Sequence, residues 1–207
     1  MSETESTPRQ ALELTVAVDF PSARVLAEQA AVVADLQYVM DCCKRLLAEL
    51  ARPEQERDGV VPLALWSSAV VTYARCFGTG DGSGLAEDDV RSLPLQGAVL
   101  NFHEWVMGER DKLIEQPADP FAAARIGAAL TPAGRKDRRI EGIAVFSTNR
   151  VLIDATGVGQ LGGLASELAK QTAGKAKRQQ HTVLTDAQRL DLDDLYKSPP
   201  LQAAGAS

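Results

Sequence analysis

The segment from Ser22 to about Ala51 constrains the fold more than any other part of the chain. Within it Val32, Leu36, Val39, Cys43, Leu46 and Leu50 recur at spacings that alternate between four and three, and Val33, Met40 and Leu47 widen the stripe. A repeat near seven residues predicts one long helix, and a stripe this wide requires burial against more than one neighbour. Ser22 is placed to cap its start after Pro21. Pro53 and the charged run EQERDG form the link that follows. Met40 and Cys43 read as core filler at such positions.

Two further helices supply the neighbours. Over 62–77, Pro62 suits a first helical turn, and Trp66, Val70, Tyr73 and Phe77 form one stripe before Gly78. Over 94–116, Pro94 opens the segment and Leu95, Val99, Phe102, Val106 and Leu113 share a face, with Pro117 as the stop. The intervening GTGDGSG reads as a flexible link. It lacks the Lys-Ser/Thr ending of a phosphate loop and follows a helix rather than a strand. The two helices are expected to pack antiparallel as a helical hairpin.

His103 and Arg110 lie seven residues apart on the second of these helices, at the edge of its apolar stripe. The run H-E-W-V-M-G-E-R-D-K-L-I-E-Q, preceded by a helix rich in Trp and Tyr, resembles the HEPN group of small helical domains. Many members carry an Arg followed four to six residues later by a His, a pair used for metal-independent RNA cleavage. The resemblance covers about a third of the chain and places Arg110 at the Arg position. The matching His position falls near Gln116, and no His occurs between Arg110 and His181. Without that acid–base group, the resemblance implies a degenerate member.

The totals narrow the class. A chain of 207 residues, 45% hydrophobic and 24% charged, suits one soluble domain with a substantial core. A net charge of −6 argues against broad nonspecific nucleic-acid binding, which needs phosphates neutralised by Lys and Arg. No apolar run approaches the ~20 residues of a membrane helix, and the acidic, polar N-terminus lacks a secretory signal. Three cysteines without framework spacing favour reduced thiols and a cytoplasmic protein.

Outside the helices, two kinds of pattern recur. Over 11–20, Leu12, Leu14, Val16, Val18 and Phe20 alternate with polar or small residues, which predicts a strand. IEGIAVFS and RVLIDAT, separated by Thr148-Asn149, predict an antiparallel hairpin over 138–147 and 149–156. The 11–20 strand is the expected third member of that sheet. Phe121–Leu130 reads as at most a short helix. From Val158 a second long helical pattern runs through Leu161, Leu164, Leu168, Val183, Ala187 and Leu190, and its polar middle is either a solvated stretch or a break near Gly174. Residues 1–10 and 197–207 are expected to be disordered tails around a single domain of residues 11–196, whose helical core spans 22–116 and whose hairpin and long helix span 138–196.

Each chemical constellation has a plainer alternative. His103 with Glu104 and Arg110 offers an acid–base and anion-holding group. Two helical turns, about 10.5 Å, separate His103 from Arg110, and a polar edge on a helix interface is the reading adopted. Arg135, Lys136, Arg138 and Arg139 form one basic cluster, while Lys175, Lys177 and Arg178 with Lys170 form another. Either is a candidate for RNA or an acidic partner, but neither has interleaved aromatics for base stacking. The aspartates Asp191, Asp193 and Asp194 have no His or Cys nearby, so neither metal nor cofactor is called for.

The fold expected is α+β and predominantly α: a helical bundle with a small antiparallel β-sheet. The function expected is that of a cytoplasmic accessory or interaction protein, acting through self-association or a protein partner, with Trp105 as a surface aromatic suited to an interface. A ribonuclease using Arg110 and His103, or an RNA-binding module on the basic clusters, is the alternative.

Overall fold

The computed structural model describes residues 15–78, 84–114, 124–132, 134–147 and 154–201. Its architecture is α+β and predominantly α. Helices α1 (Pro21–Leu50), α2 (Val61–Arg75), α3 (Glu87–Arg91), α4 (Val99–Ile114), α5 (Ala155–Ala187) and α6 (Leu192–Lys197) accompany strands β1 (Ala124–Leu130) and β2 (Ile140–Ser147).

The seven-residue pattern of α1 decides the packing. Leu36, Val39, Cys42, Cys43 and Leu46 are buried, and α1 lies between α5 on one side and α2 on the other. Ser22 does not cap the helix, which starts at Pro21 without a side-chain cap. Its hydroxyl instead donates to Asp186 Oδ2 at 2.6 Å, and Gln179 Nε2 donates to its carbonyl at 3.0 Å. At the other end Cys43 faces Gly162, so α1 and α5 run antiparallel. An added Cβ on Gly162 would sit 3.3 Å from the Cys43 Cβ, so a glycine there permits the close approach.

On the other face of α1, Arg75 donates to Asp35 through Nε at 2.9 Å, and Tyr38 shares a hydrogen bond with Ser68 at 2.8 Å. These contacts hold α2 antiparallel to α1. Helix α4 then packs on α2, and its start faces α5 across a groove. The core includes the α1 stripe, Trp66, Ala69, Val70 and Tyr73 of α2, Val90 of α3, Val106 of α4, and Val158, Leu161, Leu164 and Leu168 of α5. Helix α5 starts at Asp154, whose side chain accepts from the Gly157 N–H at 2.9 Å. It continues unbroken past Gly174, so its polar middle is helical, with Thr172 buried and Gln179 bonded to α1. No described helix is long and apolar enough to cross a membrane.

The sheet differs from expectation in both strand identity and company. β2 occupies its predicted place, but its partner is β1, within the stretch read as a short helix. The ladder runs from Ala124↔Ser147 to Leu130↔Ile140, with an irregularity after Ala129. Of the predicted partner 149–156, residues 149–153 lie outside the described residues, while Ala155 and Thr156 open α5. The expected third strand, 11–20, is not in the sheet over its described part. Val16 forms an isolated antiparallel bridge with Pro200, and Leu201 N–H donates to Thr15 O at 2.7 Å. The two end segments thus meet each other and not the hairpin. α6 runs through Lys197 under an Asp191 cap, and residues 202–207 lie outside the described residues. β1 and β2 pack principally on each other.

Candidate functional site

The α2–α4 interface holds His103, one of the residues from which chemistry was expected. Tyr73 and His103 face each other across it, with the Tyr73 hydroxyl 2.8 Å from His103 Nδ1. Phe77 lies against the imidazole with ring centroids 4.5 Å apart, and Tyr73 meets it edge-on at 5.8 Å. His103 is only 7% exposed and Tyr73 is fully buried.

Burial lowers the His103 pKa from its ordinary value, outweighing the Glu87 and Glu104 carboxylates that favour the charged ring. The imidazole is therefore neutral near pH 7. Burial also holds the Tyr73 phenol protonated, by raising its pKa. The pair is a neutral hydrogen bond in an aromatic box, which satisfies two polar groups inside the core. One ring nitrogen is committed to it.

Arg110 stands apart from this box. Its Nε lies 2.6 Å from Asp111 Oδ1, in an orientation that leaves it without a hydrogen bond. Among the described residues no hydrogen bond or ion pair joins Arg110 to His103. Gln116, the position at which the HEPN resemblance would require a His, lies outside the described residues. Trp105, 42% exposed, is the outer member of a cluster with Trp66 at 5.9 Å and Phe102 at 5.4 Å.

The basic clusters sit on separate elements. Arg135, Lys136, Arg138 and Arg139 are exposed on the β1–β2 connection, where Arg139 lies 3.9 Å from Glu141. Thr131 pins that connection: it is buried, and its Oγ1 accepts from the Arg139 N–H at 3.1 Å. In the other cluster Lys175 is committed to an ion pair with Asp89 of α3. Lys177 and Arg178 are exposed on α5, and Lys170 pairs with Glu167 at 2.6 Å. The second cluster is thus partly a structural device that holds α3 against α5. Asp89 also accepts from the Ala86 N–H at 3.0 Å at the start of α3.

The three thiols are buried and free. Burial pushes both Cys43 and Cys76 up to about 12, so neither is a thiolate nucleophile at neutral pH. Among the described residues no group of three or more His, Cys, Asp or Glu is placed to hold a metal.

Two features carried no signal strong enough to be read from the sequence. One is a groove of about 520 Å³ between the start of α4 and α5, lined by Leu95, Val99, Phe102 and Leu164 with Asn101 and Gln160 at its polar edge. The other is the exposed face of the β1–β2 hairpin. The β-rich run IEGIAVFS was legible, but its partner ARIGAAL has only Ile126 of the β-branched and aromatic residues that mark strands. No protein-family model, no curated protein and no solved structure matches this chain.

Proposed function

We propose that this chain is a cytoplasmic accessory or interaction protein, built on a degenerate HEPN-like helical core and working through self-association or a protein partner. The observation that carries the reading is the hairpin. Ile126, Leu130, Ile140, Ile143 and Val145 are all left in solvent on a two-stranded sheet that packs principally on itself. A lone two-stranded hairpin is marginally stable in water, and a contiguous apolar patch of this kind marks an interaction site. The neutral, hydrogen-bonded state of His103 supports the same reading, because it withdraws the nearest acid–base group from chemistry at Arg110.

The test is to measure molar mass by light scattering on the purified full chain, together with copurifying protein and nucleic acid and an RNA-cleavage assay. A defined oligomer or a stoichiometric protein partner, without RNase activity, supports the reading. RNA cleavage that is lost in Arg110→Ala with the fold intact overturns it in favour of a ribonuclease.

A further inference from the structure

The register of the hairpin sorts its side chains into two unlike faces. Directly paired residues of an antiparallel ladder project to the same side. Ile126↔Val145, Ala128↔Ile143 and Leu130↔Ile140 therefore share one face, while Arg125↔Phe146, Gly127↔Ala144 and Ala129↔Gly142 share the other. The first face is aliphatic over these three pairs, with Glu141, the extra residue at the irregularity, at its Leu130 end beside Arg139. Its five large members are each between 52% and 67% exposed.

We infer that this face is a homodimer interface, in which the hairpins of two copies stack aliphatic face to aliphatic face about a twofold axis near the Ala128–Ile143 pair. The inference rests on the interaction reading above and names its surface and its partner. Three observations favour a second copy as the occupant. The first is area: at roughly 100 Å² of apolar surface per large side chain, two copies cover on the order of 1,000 Å². That reaches the threshold of about 1,000 Å² for a specific interface.

The second is self-complementarity. A twofold contact must match its own surface, and an aliphatic face does so. In a chain of net charge −6, an aliphatic patch whose one carboxylate, Glu141, lies beside Arg139 is where two copies approach with least repulsion. The third is the position of the basic connection. Seven strand residues at ~3.3 Å each span more than 20 Å. An antiparallel stack therefore sets the two Arg135–Arg139 clusters at opposite ends, beyond the ~10 Å Debye length.

Single-cysteine cross-linking tests the arrangement, because the native thiols Cys42, Cys43 and Cys76 are buried. Ile143→Cys in the full chain, treated with a short bismaleimide, is expected to give a covalent species of twice the 22.1 kDa chain mass. Arg135→Cys, at the far end, is expected to give none. In parallel, Ile143→Lys with Val145→Lys is expected to weaken dimerisation at least a hundredfold in sedimentation velocity, with the helical circular dichroism unchanged.

A dimer that persists in the double-Lys variant, or is lost in Trp105→Ala instead, overturns the hairpin assignment and leaves self-association standing. A wild type that stays at single-chain mass at ~100 μM overturns the homodimer altogether. Cosedimentation of that monomer with anionic phospholipid vesicles, lost in the double-Lys variant, would give the face to a lipid surface, again overturning it. The interaction reading itself falls with RNA cleavage that depends on Arg110.

Discussion

The Tyr73 hydroxyl and His103 Nδ1 are 2.8 Å apart across the α2–α4 interface, and both groups are buried. This hydrogen bond makes the histidine a part of the core. Tyr73→Phe removes its partner and leaves a buried ring nitrogen unpaired. The expected cost is about 1–3 kcal/mol, and each kcal/mol lowers Tm by roughly 2–4 °C in a chain of this size. The double variant Tyr73→Phe with His103→Phe, apolar on both sides, is expected to lose less than the two single losses added together. Thermal and urea unfolding of all four proteins measures that coupling.

The same histidine sets the acid limb of stability. Burial lowers its folded pKa below the ordinary value of 6.5, so the unfolded chain takes up its proton first as pH falls. Stability is then lost as pH falls through 6.5 toward the lower folded value. His103→Phe is expected to flatten that part of the urea-midpoint profile, and an unchanged slope would contradict the placement of His103.

On the alkaline limb the buried thiols act in the opposite direction. Cys43 and Cys76 are raised from 9.0 to about 12 in the fold, chiefly by burial. The unfolded chain therefore loses these protons first, and stability falls as pH rises from about 9 towards 12. Cys43→Ala should reduce that slope. In the native protein a colourimetric thiol reagent at pH 8 is expected to react only as fast as the chain opens.

Neighbouring glycines of α5 should respond in opposite ways. A Cβ on Gly163 would meet nothing within 4 Å, so Gly163→Ala is expected to stabilise by roughly 0.5–1 kcal/mol through helix propensity. At Gly162 the Cys43 Cβ is already 3.3 Å from such an atom, and Gly162→Val should cost about 1–3 kcal/mol by overpacking. Chemical denaturation of the two variants separates local propensity from the α1–α5 approach.

The helical part of this fold was legible because each element carries its own period. The α1 stripe from Leu36 to Leu46, the Trp66–Val70–Tyr73 run and the Leu161–Leu164–Leu168 run all became core. Pairing between distant segments has no such local code. The sequence marks β2 by Ile143, Val145 and Phe146, but it conceals β1, where small residues alternate with Ile126 and Leu130. The apolar alternation around Val16 reads as a strand for the same sheet, yet its described part meets Pro200 and Leu201. Similarly, His103 and Arg110 share a helix face at a spacing of seven, but only the packing of Tyr73 and Phe77 decides that the histidine is enclosed. Lys175, one of a basic run in the sequence, turns inward to Asp89 because α3 lies beside α5.

The central claim is that the chain works by association through its hairpin, and hydrogen exchange across a dilution series tests it most directly. The account predicts that protection of peptides covering 124–130 and 140–147 rises with protein concentration, in step with dimer mass. The α4 peptides around Trp105 should stay constant. Protection of the hairpin that is independent of concentration while the mass changes, or a concentration-dependent change confined to α4, would contradict it.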